Sequence, residues 1–428
     1  MTMTVVTDLH IQGKSVVIVG NGCAGAECIN ALRESGYKEK IHLLTDSRWP
    51  ISNPMLTTYY VAGKIGFEGL FPYGAGQEFY LKHGVDVYPG SPVVALNAEE
   101  KVVCAKSGLE IKYDQCLIAT GATPILPPIE GIGLGRIYAL RTVEDAIRLK
   151  EAMTKAPKKA LVIGASMVGI KVMELFYKAG VEVCLADLAQ HIFPLAAHPE
   201  CARIVEERLE QKGIKLRFGA GIERVEETAC GIKAYFKDSA ESEEADLLVM
   251  CIGVKANIGF IDRKQVAVDR GILVDEHMRT SMQGLYAAGD VAQGKNLLSG
   301  GSEMIGLWNN ARYQGRTAGQ NMGGENEFFP GNIPHNITRF MGMDFIGIGN
   351  VNDYDRMEKK YDGSRYIQLF WKDGFLTGAN FLDNTTDSGV IKNALIKGLR
   401  QRGPILSGFV PVIENQLIKN ILLEVQRT

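Results

Sequence analysis

Residues 16–46 constrain this chain more than any other stretch. A short apolar run, Val16-Val17-Ile18-Val19, has the composition of a buried parallel strand. It breaks into Gly20-Asn21-Gly22-Cys23-Ala24-Gly25, a Gly-x-Gly-x-x-Gly turn, and a helix-compatible segment follows to about Ser35. A second apolar run, Ile41 to Leu44, ends in Thr45-Asp46. Strand, glycine turn, helix, strand and terminal acid at this spacing predict a β-α-β unit that binds a dinucleotide. Gly20 permits the tight turn, Gly22 lets the backbone approach a pyrophosphate, and Gly25 lets helix and strand pack closely. The helix N-terminus offers unpaired N–H groups and partial positive charge to the phosphates, and Asp46 can accept hydrogen bonds from ribose hydroxyls.

With 428 residues the chain has room for two or three domains with sizeable cores. A net charge of -2 argues against a nucleic-acid binder and gives no reason to invoke a membrane surface. There is no apolar run long enough to span a bilayer and no basic-then-apolar leader pattern, so the expectation is a cytoplasmic protein. No two of the eight cysteines stand in a Cys-x-x-Cys pair, which removes thioredoxin-type redox chemistry and iron–sulfur runs from consideration. Cys23 and Cys28 lie on the glycine turn and its helix, five residues apart and so on different faces, and packing is the default reading for both. The seven histidines form no ligand cluster, and no metal is expected.

Further along, residues 47–63 read as loop followed by a short helix. Strands are expected within Gly84 to Leu96, a hairpin over Lys101–Ala105 and Glu110–Tyr113, and a strand from Tyr113 that ends at Ala119-Thr120-Gly121. Pro124, Pro127 and Pro128 mark a crossing between domains, and Leu140 to Met153 has a helical pattern. Then the opening motif recurs. Ala160–Ile163 is a strand, Gly164-Ala165-Ser166-Met167-Val168-Gly169 the turn, Ile170–Ala179 a helix, and Val181–Ala186 a strand closed by Asp187. Ser166 replaces the middle glycine and is small enough to admit a phosphate nearby. Asp187 would repel an adenine 2′-phosphate, and Leu188-Ala189-Gln190-His191 offers no Arg or Lys, so this site is read as one for NAD(H). Two such units suggest a donor and an acceptor held together, as in hydride exchange between nicotinamide and flavin. A buried strand, Asp246–Val254, closes the second unit at Gly253. The chain then returns to the first domain, with a strand ending at Gly289-Asp290 and a helix from about Glu303 to Met322. The tail carries a hairpin turning at Asp373-Gly374 and an amphipathic segment with Ile413, Leu417, Ile418, Ile421, Leu422 and Val425 on one face.

Residues 14–324 resemble the pyridine-nucleotide-dependent FAD oxidoreductases, in the branch of rubredoxin and ferredoxin reductases and the flavin portion of assimilatory nitrite reductases. The ordered matches are the two glycine turns with Asp46 and Asp187, the Ala119-Thr120-Gly121 segment and Cys251-Ile252-Gly253-Val254. Arg279-Thr280-Ser281, Tyr286-Ala287-Ala288-Gly289-Asp290, and Trp308-Asn309-Asn310-Ala311 with Gln314-Gly315 complete them. The resemblance implies an α/β fold of two Rossmann-like domains, an FAD domain (1–125 and 258–330) with an NAD domain (126–257) inserted, plus a small α+β interface domain (331–428). It implies an FAD site formed by Gly20, Gly22, Cys23, Ala24, Gly25, Asp46, Ser47, Arg48, Pro54, Thr58, Val93, Ala119, Thr120, Gly121, Gly289, Asp290 and Trp308. Asp290 would bond the flavin ribityl chain, and the helix after it would stabilise reduced flavin through its N-terminal dipole. The NAD site would comprise Gly164, Ser166, Met167, Val168, Asp187 and Gly253.

Departures from the family pattern narrow the activity. Members that reduce peroxide, oxygen or coenzyme A disulfide carry a cysteine shortly after the first acid, and disulfide reductases carry a pair there. Here no cysteine occurs between Cys28 and Cys104, which leaves electron delivery from flavin to another protein or centre. Electron-carrier reductases often read Arg-Pro-Pro-Leu-Ser-Lys-Glu-Tyr-Leu-Ala-Gly after that acid, whereas this chain reads Asn53-Pro54-Met55-Leu56-Thr57-Thr58-Tyr59-Tyr60-Val61-Ala62-Gly63. The family's flavin-side lysine is thus Thr58, and the glutamate of its Gly-Leu-Glu segment is Lys171. Two readings of Lys171 stand: a catalytic role, supplying positive charge beside the flavin from the opposite wall, or a surface lysine on the helix. His335 is read as a packing or surface histidine, with approach to a flavin across an interface as the alternative.

In overall type and size the chain is also similar to flavoprotein subunits of larger complexes. The expectation is the NAD-reducing subunit of an aldehyde oxidoreductase or of an aromatic 2-oxoacid dehydrogenase such as phenylglyoxylate dehydrogenase. Its FAD would take single electrons from a partner's iron–sulfur cluster. A stand-alone NADH:ferredoxin or rubredoxin reductase, running in the opposite direction and a homodimer if free, is the alternative. A redox-sensing flavin-bearing interaction protein and a flavin-free NAD-binding scaffold are the readings from other classes. The tail suits either dimerisation or docking of a partner subunit.

Overall fold

The computed structural model describes residues 14–398, so the amphipathic segment expected around residues 413–425 lies outside the described residues. The chain forms two compact units. One takes residues up to Thr123 together with Arg141–Val143 and Val254–Asn332; the other takes Pro124–Leu140, Glu144–Gly253 and the residues from Ile333 onward.

In the first unit the apolar runs do what their composition predicts. Val16–Val19 is the fully buried centre of a five-stranded sheet in the order Leu285–Ala287, Gln115–Ile118, Val16–Val19, Ile41–Leu44, Val85–Tyr88. All four pairings are parallel, with Val16 opposite both Ile41 and Gln115. Strand alternation sends Val16 and Ile18 to one core with Ile29, Leu32 and Ala318, and Val17 and Val19 to another with Leu96, Val103 and Ile118. The second core is covered by an antiparallel sheet of Val93–Asn97, Val102–Ala105 and Glu110–Lys112, which contains the expected hairpin.

Two helices cover the other face, Cys23–Glu34 and Trp308–Met322. They approach so closely that glycine is required on the second helix. A Cβ at Gly315 would lie 2.2 Å from the Ala24 carbonyl oxygen, and one at Gly319 would lie 2.5 Å from that of Cys28. The second helix begins five residues later than the sequence predicts. Ser302–Glu303 instead pairs antiparallel with Gly294–Lys295, and Leu307 is extended at φ −127° and ψ 137°. The chain between is held open by Asn310, whose Nδ2 donates to the Ile305 carbonyl at 2.9 Å.

The second unit repeats the plan. Its parallel sheet runs Lys215–Phe218, Glu182–Asp187, Lys159–Ile163, Leu247–Met250, Ile137–Tyr138, with helix Met167–Lys178 after the Lys159–Ile163 strand. A three-stranded antiparallel sheet (Ile222–Glu227, Ile232–Phe236, Ser242–Ala245) packs on one side. The residues from His335 form a five-stranded antiparallel sheet in the order His335–Phe340, Met343–Gly349, Phe375–Leu382, Tyr366–Lys372, Arg356–Tyr361, followed by helix Ser388–Ile396. The hairpin of Tyr366–Lys372 and Phe375–Leu382 turns at Asp373 and Gly374, both at positive φ (52° and 81°), as a two-residue turn matching strand twist requires. Among the described residues no helix is long and apolar enough to cross a membrane.

The close helix crossing gives a direct stability test. Gly319→Val drives side-chain atoms into the backbone of Cys28, and we expect a loss of about 2 kcal/mol or more, read as a lowered midpoint in chemical denaturation.

Candidate functional site

Each parallel sheet carries one of the glycine turns at the carboxyl ends of its strands, where an open α/β sheet binds ligands. The two turns are the same construction. The Gly20 N–H donates to the Leu44 carbonyl (2.8 Å) and that of Gly164 to Ala186 (2.7 Å). The Ala119 N–H donates to Val19 (2.7 Å) and that of Cys251 to Ile163 (2.6 Å). Gly20 (φ 113°) and Gly164 (φ 109°) stand in left-handed backbone, and a Cβ there would lie 2.2 Å from the Ala119 oxygen or 2.3 Å from the Cys251 oxygen. A Cβ at Gly25 would lie 2.5 Å from the Gly20 oxygen, and one at Gly169 would lie 1.7 Å from the Gly164 oxygen.

Gly22 is different. A Cβ there meets nothing within 4 Å, so protein packing does not account for the glycine. Beside it the helix Cys23–Glu34 starts without a side-chain cap, which leaves first-turn amides available to an anion. Open space and uncapped donors fit a pyrophosphate. In the second turn Ser166 holds the matching position, extended at φ −89° and ψ −172°, with its hydroxyl turned to the Cys251 carbonyl at 3.4 Å; its helix also has no side-chain cap. Apolar side chains stand exposed around this turn, Val168 at 45%, Leu188 at 72% and Ile252 at 38%, as a surface that a bound nucleotide would cover.

Around the first turn, Asp46 is exposed and its carboxylate has no hydrogen bond or ion pair among the described residues. Ser47 Oγ accepts from the Trp49 N–H (3.1 Å), and the Arg48 guanidinium lies 5.7 Å from the Trp49 ring centroid. Pro54 opens a 3-10 turn that leads into helix Thr57–Val61, where Thr58 is half-buried; Val93 begins the covering antiparallel sheet. Ala119-Thr120-Gly121 is fixed from behind by Asn257, whose Nδ2 donates to the Thr120 carbonyl (2.9 Å) and whose own carbonyl accepts from Thr120 Oγ1 (2.8 Å). Gly289 (φ 82°) donates its N–H to Gln314 Oε1 at 2.9 Å, which ties the Gly289-Asp290 turn to the helix that Trp308 begins.

Three features near this turn were not legible in the sequence. Asp290 Oδ2 accepts from Arg141 Nη2 at 2.7 Å, with both side chains only about one-fifth exposed (19% and 22%). Arg141 lies 149 residues upstream, just beyond the proline crossing, and only its place at the unit boundary could have flagged it. Asn257 and Gln314 likewise sit far from the segments they hold. A buried carboxylate, Glu27, lies beneath the turn; its Oε1 accepts from Tyr73 Oη (2.7 Å) and Arg312 Nε (3.3 Å).

At the second turn Asp187 is held on both oxygens. Oδ2 accepts from the Ala165 N–H (2.6 Å) and Oδ1 from the Ala189 N–H (2.8 Å), which fixes the carboxylate at the rim of the turn. Gly253 stands at φ 108° where the Leu247–Met250 strand has ended. Met167 begins the fingerprint helix. Lys171, one turn on, is 24% exposed and engaged inside its own unit: Nζ donates to Glu174 Oε2 (3.3 Å) and to the Arg339 carbonyl. Burial works to raise the Glu174 pKa, but Lys178, the Met341 N–H and Lys171 together outweigh it and hold the carboxyl below its ordinary value. His335 donates from Nδ1 to the Ile333 carbonyl (3.1 Å), leaving Nε2 toward Lys392 Nζ at 3.3 Å; burial lowers its pKa.

All eight cysteines are free thiols. Cys23, in the first turn, lies 3.9 Å from Tyr73 Oη and 3.8 Å from the Trp308 carbonyl, and burial pushes its pKa up to about 12. A thiol so raised stays protonated near neutral pH and is neither nucleophile nor thiolate donor. Burial likewise raises Cys28, Cys116 and Cys201. Among the described residues no three His, Cys, Asp or Glu side chains come together to hold a metal ion.

The pyridine nucleotide-disulphide oxidoreductase family model matches residues 14–315. The epsilon subunit of an NADH-dependent phenylglyoxylate dehydrogenase from Aromatoleum evansii is 30% identical over 398 residues, covering 91% of this chain and 93% of that one. A rubredoxin-NAD(+) reductase from Pseudomonas putida is 28% identical, covering 80% of this chain and 88% of that one. In fold the chain is similar to the crystal structure of a covalent putidaredoxin reductase–putidaredoxin complex, with a TM-score of 0.87 at 24% identity, over 97% of this chain and 100% of that one. The chain belongs to the pyridine nucleotide-disulphide oxidoreductase family and is an FAD-dependent NAD(H) oxidoreductase.

Proposed function

We propose that this chain is the NAD-reducing flavoprotein subunit of a larger oxidoreductase acting on an aldehyde or a 2-oxoacid, with an iron–sulfur subunit as its electron partner. The first turn is the FAD site and the second the NAD(H) site. The observation that carries this assignment is the duplicated turn, built twice with the same hydrogen bonds but with unexplained open space at Gly22 in one copy and a fixed acid, Asp187, in the other.

In the FAD site, Gly22 and the first amides of helix Cys23–Glu34 would hold the pyrophosphate, and Asp46 the ribose. Ala119-Thr120-Gly121, Asp290 and the start of the Trp308–Met322 helix would hold the rest. In the NAD(H) site, Ser166, Met167 and Val168 would face the phosphates, Gly253 would line the opposite side, and Asp187 would select a ribose without a 2′-phosphate. Bound FAD supplies the exchange between the two-electron chemistry of nicotinamide and one-electron carriers. The residues of the chain bind, orient and exclude: the raised Cys23 thiol takes no covalent part, and the Arg141–Asp290 pair fixes one carboxylate beside the site.

Support for the complex-subunit reading comes from the phenylglyoxylate dehydrogenase epsilon subunit, which is similar across 91% of this chain and 93% of its own. The rubredoxin reductase relative supports a second reading, a stand-alone reductase working toward a small iron protein. Anaerobic purification from the native cell separates the two: polypeptides bearing iron–sulfur clusters should travel with this chain, and its recovery as a free flavoprotein would favour the stand-alone reductase.

Two measurements test the site assignments. In anaerobic stopped flow NADH should bleach the flavin at least about tenfold more efficiently than NADPH, because Asp187 repels the extra phosphate; equal efficiency would overturn the role of Asp187. Maleimide at pH 8 should label the exposed Cys230 in the native protein, whereas Cys23 should be labelled only after unfolding; mass spectrometry of the digested protein reads this out.

A further inference from the structure

The segment that follows Asp187 is clamped by the C-terminal antiparallel sheet of the same unit, through a chain of direct hydrogen bonds that ends at a side chain far away in sequence. Asp187 Oδ2 accepts from the Ala165 N–H at 2.6 Å. The Ala165 carbonyl accepts from the Phe193 N–H at 2.9 Å, and the Phe193 carbonyl accepts from the N–H groups of Ala196 and Ala197, both at 2.8 Å. The Ala196 carbonyl accepts from Asn380 Nδ2 at 2.7 Å, and the His198 N–H donates to Asn380 Oδ1 at 2.8 Å. Only one orientation of the amide satisfies both partners, and Asn380 is 0% exposed.

Packing enforces the same arrangement. Gly347 is the register partner of Asn380, and a Cβ on it would lie 2.3 Å from the Ala196 oxygen, so the segment rests directly on the sheet backbone. Phe193 stands at φ 54°, a conformation that is costly for a bulky residue. Its ring is stacked on Phe345 (centroids 4.3 Å apart, planes at 11°) and meets Phe340 edge-on at 5.6 Å. A strained backbone fixed by two rings from the sheet and a fully buried amide is more than loop packing needs.

We propose that Asn380 is a positioning residue for NAD(H) recognition: through residues 193–198 and the glycine turn it sets the orientation of the Asp187 carboxylate. This inference rests on the assignment of the second turn as the NAD(H) site. Loss of the amide leaves the Ala196 carbonyl and the His198 N–H without their partner and releases Phe193, and with it Ala165, whose N–H holds Asp187.

The test is NAD+ affinity, measured by calorimetry on the FAD-loaded protein, in a double-mutant cycle. Asn380→Leu should raise Kd about tenfold, with KM for NADH rising in step, kcat held within about twofold and flavin content unchanged. Asp187→Ala should raise Kd by at least as much, and adding Asn380→Leu to it should change little further, because both act through one carboxylate. Leu369→Ala provides the control: it lies on the neighbouring strand one register position from the residue paired with Asn380, so it faces the other side of the sheet, and it should lower stability without moving Kd. If Asn380→Leu does not fold, Gly347→Ala displaces the Ala196 carbonyl instead and should give the same coupled loss. An unchanged Kd in the folded variant, or a full additive loss on top of Asp187→Ala, would overturn the positioning role. An unchanged Kd in Asp187→Ala would overturn the site assignment itself, which is a separate result.

Discussion

Everything in both parallel sheets turns on one close approach: a backbone carbonyl seated over the first glycine of a turn. At Gly20 the neighbour is the Ala119 oxygen and at Gly164 it is the Cys251 oxygen. No other residue fits, because the φ values of 113° and 109° lie where a Cβ is strained and the space for it is already taken. The approach brings the end of one strand against the start of the helix that follows another. It therefore decides which peptide groups face outward and leaves the helix N-terminus uncovered. Gly22 is the one glycine of the first turn with nothing within 4 Å of its missing side chain, so packing inside the protein does not account for it.

Much of this was legible in the sequence because it is local. Val16–Val19, the turn, the helix ending near Ser35 and the strand Ile41–Leu44 are contiguous, and apolar runs, glycine spacing and a terminal acid suffice to specify them. The same holds for the second copy and for the Asp373-Gly374 hairpin. The late helix starts at Trp308, later than the sequence predicts, for a physical reason. Glu303-Met304-Ile305 is compatible with a helix by propensity, but Gly306 is not, and a strand pairing at Ser302–Glu303 and the Asn310 side chain hold the stretch extended. Tertiary partners overrode local preference.

What the sequence withheld is long-range and polar. Arg141 with Asp290, Asn257 with Thr120, Gln314 with Gly289 and Tyr73 with Glu27 are pairs that no periodicity links, since each joins segments brought together only by the completed sheet. Lys171 was readable as a charge that departs from the family pattern, and its partner Glu174 is local, three residues along the same helix, but the Arg339 carbonyl belongs to a hairpin that begins more than 160 residues later. Buried polar side chains of this kind add little net stability, yet they specify a single arrangement because every alternative leaves one of them unsatisfied.

The interior polar face of the C-terminal sheet has a consequence for how such chains can be recombined. Asn380 and Gln368 are both wholly buried on adjacent strands, and Gly347 is bare where the Ala196 carbonyl rests. A sheet of that kind is not an interchangeable cap. A chimera that exchanges the residues after 333 between relatives keeps its interior paired only if residues 192–198 are exchanged with them. The natural seam for shuffling this chain therefore runs through space, joining residues that lie 182 and 184 positions apart in sequence.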